Sequence, residues 1–454
     1  MAKTKTCFVC QSCGATHSRW EGKCTACDEW NTLVEEVNEA PGGKHERPSI
    51  ISGARPTPIT DDQAAQPERM GSGSAECDRV LGGGIVPGSL ILVGGDPGIG
   101  KSTLMLQLAY HVASNVGEVL YISGEESFHQ SQLRADRLGA LHDHVMMLTE
   151  TNIETVRSQI KKGDYACVII DSIQSMYSPA LSSVPGSVGQ VRECANECLR
   201  LAKGQQVPIF LVGHVTKDGS IAGPRVLEHL VDTVLYFEGD GKHSLRILRG
   251  VKNRFGSTNE IGVFEMTSKG LIEVTNPSAL FLDERPEGVS GSAVIPSIEG
   301  TRPLLVEVQA LVTDSHLGSP RRTVTGVNPN RVSLILAVLE KRVGLGFAGL
   351  DVFVNVAGGV KLTEPAADLA IALALCSSLR DVPVTPGLVA FGEIGLAGEI
   401  RSVDRAGIRV AEASKFGFKS CMLPTHGMNK ESMPGVTLMT VASIEDAIEA
   451  GLLT

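Results

Sequence analysis

Apolar positions downstream of about Arg69 gather into short runs separated by longer mixed stretches, and this rhythm predicts most of the fold. Leu90–Gly94, Val119–Ser123, Val145–Leu148, Cys167–Asp171 and Ile209–Gly213 are near-continuous apolar runs, as strands buried on both faces of a parallel sheet are. The stretches between them are long enough for covering helices. Three further runs, Val231–Phe237, Leu245–Leu248 and Ile261–Met266, follow without helices between them and predict an antiparallel extension. Residues 67–275 thus read as one α/β domain. Beyond Pro277, Val306–Val312 alternates as a strand, Asn330–Arg342 is an amphipathic helix, Asp351–Val356 a strand, Pro365–Leu379 an Ala- and Leu-rich helix and Leu388–Ile394 a strand. That pattern is an α+β domain over 276–454. Upstream, Glu35–Pro67 is rich in Pro, Gly and mixed charge without period, so 36–66 reads as a flexible linker to a small module at 1–35. No fixed-period repeat is present.

Composition narrows this picture. A length of 454 residues suits about three domains, and 42% hydrophobic residues is ordinary for a packed water-soluble protein. No segment looks membrane-spanning, and the N-terminus lacks the apolar core of a signal peptide, so the expected location is cytoplasmic. A net charge of -10 excludes a protein that coats nucleic acid by bulk charge. Any nucleic-acid contact is then local. Five of the eleven cysteines fall in the first 27 residues, and in the cytosol such a cluster points to metal rather than disulfides. Cys10-x-x-Cys13 and Cys24-x-x-Cys27 together supply four thiolates for one structural Zn²⁺. Cys7-x-x-Cys10 is also correctly spaced, but Gly14 after Cys13 favours the first pairing. Trp20 and Trp30 are expected to pack against the metal site, with base stacking as the other possibility.

Gly95-Asp96-Pro97-Gly98-Ile99-Gly100-Lys101-Ser102-Thr103 follows the first apolar run and opens a helical stretch. Strand, glycine loop and helix in that order make a phosphate loop. Its backbone N–H groups turn on phosphate oxygens, Lys101 neutralises the β- and γ-phosphates, and Ser102 offers a hydroxyl to Mg²⁺. Ligands of open sheets sit at the carboxyl ends of the strands. Asp171, ending an apolar run, is suited to hold Mg²⁺ through water opposite Ser102. Glu125 is the candidate that orients and deprotonates the attacking water, although acids also gather at helix starts. Two long segments at strand ends, Ser172–Arg192 with Tyr177 and His214–Arg225, are candidate functional loops. His214 is placed to sense the γ-phosphate and relay its state to Lys217 and Arg225. Lys242–Gly256 carries five Lys or Arg residues and no acid. Its end, Lys252-Asn253-Arg254-Phe255-Gly256, has two cations that could serve as arginine fingers on a neighbour's nucleotide.

These features together resemble the bacterial RadA (Sms) family of DNA repair proteins over essentially the full chain. The resemblance rests on the four-cysteine knuckle, the phosphate loop, the Lys252–Gly256 pentapeptide and a C-terminal domain similar to the Lon protease domain. It implies a RecA-like P-loop NTPase core, with ATP, Mg²⁺ and Zn²⁺ as cofactors. It further implies a DNA-dependent ATPase and helicase, assembled as a homo-oligomeric hexameric ring, that moves on single-stranded DNA. Such a protein would drive branch migration of branched recombination intermediates with RecA as partner, away from any membrane. By the same resemblance Lys252 and Arg254 act on a neighbouring subunit, and the two loops bind DNA. In the Lon-like domain, Ala366 occupies the position of the peptidase serine, and Ala397–Arg401, matching the lysine segment, contains no lysine. With no hydroxyl there is no acyl-enzyme, so the domain reads as a scaffold. Arg321, Arg322, Arg331, Lys341 and Arg342 are its candidate DNA-backbone contacts. An ATP-dependent peptidase is disfavoured by Ala366; a nucleotide-switched adaptor for DNA and RecA remains the alternative to a motor.

Overall fold

The structure is a computed structural model describing residues 5–10, 15–30, 32–38, 68–214, 225–239, 244–258, 260–283, 285–286, 288–315, 319–426 and 435–453. The chain divides into two compact units, Met1–Val274 and Thr275–Thr454. No helix among the described residues is long and apolar enough to cross a membrane.

At the N-terminus, β1 (Lys5–Cys10) pairs antiparallel with β2 (Thr16–His17) and β3 (Leu33–Asn38). β3 runs past the expected boundary at residue 35 because its backbone stays paired with β1 as far as Asn38 opposite Lys5. The linker expected beyond it falls almost wholly outside the described residues. The module's core is Cys10, Cys24 and Leu33, with Phe8, Ala15 and Cys27 against them. So few apolar side chains do not hold a fold without a cross-link.

The central sheet is built from α1 (Ala75–Leu81), β4 (Leu90–Gly95), α2 (Lys101–Asn115), β5 (Val119–Ser123), α3 (Phe128–Arg137), β6 (Val145–Thr149), α4 (Ile153–Lys162), β7 (Cys167–Asp171), α5 (Val188–Gln205), β8 (Ile209–Val212), α6 (Arg225–Leu230), β9 (Thr233–Glu238), β10 (Leu245–Asn253), β11 (Ile261–Thr267) and β12 (Gly270–Glu273). The spatial order is β12-β11-β10-β9-β4-β8-β7-β5-β6. β9, read as part of the antiparallel extension, pairs parallel with β4, because the short α6 supplies a crossover that the sequence pattern does not display. On its other edge β9 pairs antiparallel with β10, so the antiparallel extension runs from β9 to β12. Strand alternation sends Ile91 and Val93 into a core shared with Met105, Ala109 and Val112 of α2. Leu90 and Leu92 enter the opposite core, with Val156 and Ile160 of α4 and Val191, Cys194 and Cys198 of α5. This is the RecA-like α/β arrangement.

The second unit comprises α7 (Pro277–Leu282), β13 (Ser292–Glu299), β14 (Arg302–Asp314), β15 (Arg322–Thr325), α8 (Pro329–Val338), β16 (Leu350–Val356), α9 (Asp368–Arg380), β17 (Leu388–Ala390), β18 (Glu393–Ile394), β19 (Ile400–Arg401), α10 (Ala406–Lys415), β20 (Ser420–Pro424), β21 (Thr437–Val441) and α11 (Ile444–Gly451). Its mixed sheet runs β15-β16-β14-β13-β17-β20-β21. α9 is buried without interruption from Asp368 to Ser377, so its Ala- and Leu-rich sequence fills the core rather than one face. The helix expected over Asn330–Arg342 ends as α8 and continues in a π-helical turn, Leu339–Val343. The strand expected over Leu388–Ile394 splits in two. After β17 the Gly392 N–H turns to the Ala366 carbonyl at 3.0 Å, and the chain enters the separate β18–β19 hairpin.

Candidate functional site

Each of four adjacent strands, β4, β8, β7 and β5, carries one part of a site at its carboxyl end. β4 leads into the glycine loop. A Cβ on Gly95 would lie 2.6 Å from the Phe237 carbonyl of β9, so only glycine fits that close approach. Gly98, with φ 75°, would meet nothing within 4 Å, so the loop is backed by β9 and open above Gly98. α2 then starts at Gly100 with no side-chain cap and no acid in its first turn. Its leading N–H groups are left for an anion, and the loop fits a phosphate chain. Lys101 is 4% exposed; its Nζ donates to the Gly95 carbonyl at 2.7 Å and the Asp96 carbonyl at 2.9 Å. Burial pulls its pKa below the ordinary lysine value, against the opposing charges of Asp171, Asp96 and Glu125.

His214 follows two residues after the end of β8; its Nδ1 lies 3.2 Å from Lys101 Nζ and its Nε2 lies 3.5 Å from Glu125 Oε1. An ammonium has only protons to give, so Nδ1 accepts and the ring proton sits on Nε2, toward the carboxylate. Glu125, after β5, also accepts from the buried Ser172 hydroxyl. Its neighbour Glu126 is engaged differently, paired with Arg134 at 2.5 Å and accepting from Ser131. Asp171 ends β7 and accepts from the Tyr121 hydroxyl at 2.7 Å. Ser102 and Thr103 lie in the first turn of α2. Tyr177 is half-buried, its backbone bridged to Asn152. Lys217 lies outside the described residues; Arg225 opens α6, but its side chain is likewise outside them.

The basic segment behaves unlike a solvated face. Arg246 is 8% exposed, and its Nε donates to the Ile99 carbonyl in the phosphate loop at 3.1 Å. Lys252 Nζ donates to the Glu228 and Val231 carbonyls at 2.6 and 2.8 Å, around the end of α6. Arg254 pairs at 3.2 Å with buried Asp232, which also accepts from Leu90 N–H and Lys203. Register fixes where these cations sit. Asn253 is opposite Thr233, and Thr233 is opposite Ile91 at the start of β4. The glycine loop begins at the other end of that strand, roughly 13 Å away at about 3.3 Å per residue. Lys252 and Arg254 are therefore not brought to their own chain's phosphate loop.

At the metal site the sulfurs of Cys10, Cys24 and Cys27 all lie within 4.8 Å of one another, with Cys10 and Cys27 at 3.7 Å. Tetrahedral Zn²⁺ with bonds of about 2.3 Å separates its ligands by about 3.8 Å, so this donor set fits zinc. Cys13 lies outside the described residues, as does the Cys7 side chain. Sequence reasoning missed His17, whose Nε2 is 3.5 Å from Cys24 Sγ. Trp20 and Trp30 are 55% and 69% exposed around Gly22, so they do not pack as expected.

In the second unit, Ala366 is buried in the turn before α9. One cation beside that turn is Arg409 of α10, paired with Glu364 and donating to the Pro296 carbonyl. The Ala397–Arg401 segment instead forms the β18–β19 turn, with Arg401 bound to Glu399. Arg322 donates to the Leu350 and Phe347 carbonyls at 2.7 and 2.9 Å, while Arg321 is exposed. Arg331 is not a free surface cation, because both its Nε and Nη2 donate to Asp368, which is 1% exposed. Arg331→Ala leaves that carboxylate with the Ile394 N–H but without its charged partner and should destabilise the second unit by about 3 kcal/mol, the lower end for breaking a buried pair. Lys341→Ala, at an exposed position, should leave the denaturant midpoint where it is.

Comparison with known proteins adds the following. Residues 60–220 match the family described as AAA domain, residues 8–35 the rubredoxin metal binding domain, and residues 317–427 the subunit ChlI of Mg-chelatase. The chain is 53% identical over 456 residues to the DNA repair protein RadA of Halalkalibacterium halodurans, covering 100% of both chains. It is 52% identical over 456 residues to that of Bacillus subtilis, again covering 100% of both. The protein of that name from Listeria monocytogenes is 51% identical over 454 residues, covering 99% of each chain. A crystal structure of the RadB recombinase is similar at 24% identity and a TM-score of 0.37, covering 45% of this chain and 98% of that one.

Proposed function

From the premise that the chain belongs to the family of the DNA repair protein RadA, we propose that it is a DNA-dependent ATPase that drives branch migration of recombination intermediates. The observation that carries this reading is the convergence of the glycine loop, His214, Asp171 and Glu125 on four adjacent strand ends. Loop N–H groups and Lys101 bind and neutralise the β- and γ-phosphates. Ser102 and Asp171 would hold Mg²⁺, which would supply positive charge to offset that of the phosphates. Glu125 accepts the proton of the attacking water, and His214, touching both Glu125 and Lys101, passes the γ-phosphate state toward the following loop. Lys252 and Arg254, remote from their own loop, act on the nucleotide of a neighbouring subunit in a homo-oligomeric, hexameric ring. Single-stranded DNA is contacted by the segments Ser172–Arg192 and His214–Arg225, with RecA as protein partner.

The test pairs two assays on the full chain. Single-stranded DNA should raise the ATPase rate several-fold, and ATP should move a branch point in a synthetic recombination intermediate. Stimulated hydrolysis without branch movement would favour the nucleotide-switched adaptor. Hydrolysis indifferent to DNA would remove both readings.

A further inference from the structure

Tyr121 is an aromatic residue in the middle of an apolar strand, and none of the roles above uses it. It is 2% exposed and sits in the core that α2 forms on the sheet. Its hydroxyl donates to Asp171 Oδ2 at 2.7 Å. Strand register produces the contact. In the parallel β5–β7 pair, Tyr121 is opposite Ile169 and Ser123 is opposite Asp171, so Tyr121 and Asp171 share one face a single diagonal step apart. A phenol buried this deeply needs an acceptor. A charge-assisted bond to one carboxylate oxygen, in turn, fixes the rotamer of the acid and leaves Oδ1 available.

We propose that Tyr121 is a positioning residue for the metal: its hydroxyl holds the Asp171 carboxylate in the orientation that receives Mg²⁺ opposite Ser102. The proposal rests on the reading of Asp171 as a magnesium holder. Metal ligands depend on such outer partners, whose loss lowers metal affinity by about 10- to 100-fold. Phenylalanine is the informative replacement, since it keeps the ring in the core and removes only the donor.

The experiment titrates Mg²⁺ into the full chain with a fluorescent ADP analogue, for the native protein, Tyr121→Phe, Asp171→Asn and the double variant. For Tyr121→Phe the Mg²⁺ midpoint should rise about tenfold or more. Binding in EDTA and the thermal midpoint without Mg²⁺ should stay unchanged. Asp171→Asn should raise the midpoint further, and adding Tyr121→Phe to it should change nothing more, because both act through one carboxylate. If Asp171→Asn leaves the midpoint unmoved, the magnesium reading itself fails. If Asp171→Asn moves it and Tyr121→Phe does not, the positioning role alone is overturned. If Tyr121→Phe weakens binding equally with and without Mg²⁺ and lowers the thermal midpoint, the hydroxyl only satisfies the core, and the proposal is again overturned.

Discussion

Lys101→Ala should lower the ATPase kcat by about 100- to 1,000-fold, the range for removing one preorganised donor to transition-state charge. The geometry explains why no substitute is at hand. Lys101 Nζ is held against the loop by the Gly95 and Asp96 carbonyls, which phosphate oxygens would replace as partners. His214, the next polar group, offers Lys101 an acceptor rather than a charge. Glu125→Gln separates binding from chemistry. It keeps the size of the side chain and its capacity to accept from Ser172, so nucleotide affinity should persist while kcat falls by about 100-fold or more. Measured together, Lys101→Ala should lose both affinity and rate, and Glu125→Gln only rate. A Glu125→Gln protein that hydrolyses ATP normally would move the base to another residue.

Chelating zinc should unfold the N-terminal module and leave the ATPase running. Structural zinc in small domains supplies about 10 to 16 kcal/mol of apparent binding free energy, far more than a core of Cys10, Cys24 and Leu33. The chain provides its own reporter. Its two tryptophans, Trp20 and Trp30, both lie in this module, so tryptophan emission and anisotropy read this module and nothing else. A strong chelator, or Cys24→Ala, should change both signals while ATP hydrolysis without DNA continues. Loss of hydrolysis in step with the fluorescence change would show that the module and the core depend on each other. Unchanged fluorescence would mean that the thiolates hold no metal.

How far the sequence spoke for itself differs by element, for physical reasons. The phosphate loop was legible because its chemistry is local: the glycines, Lys101 and Ser102 are consecutive, and the strand and helix flanking them have strong periods. Asp171 and Glu125 were legible because strands of this kind direct their terminal polar residues to one edge. The parallel pairing of β9 with β4 was not legible because α6 has only six residues, too few to show a helical period. The partner of Arg331 was not legible because a cation on an amphipathic helix looks the same whether it meets water or a buried carboxylate 37 residues away in sequence; only the fold brings Asp368 to it. Tyr121 was hidden in an apolar run, where its ring predicts burial and its hydroxyl predicts nothing until β7 is placed beside β5. Arg246 was hidden in the opposite way, as one more charge in a basic stretch.

The distance between Lys252 and its own phosphate loop changes what catalytic activity is counted against. On the proposed assignment, a completed site belongs to a junction between chains, not to a chain. A lone subunit then has no completed site, an open row has one fewer than its members, and a closed ring has as many as its members. Specific activity should therefore climb with protein concentration and level off only when closure leaves no unpaired end.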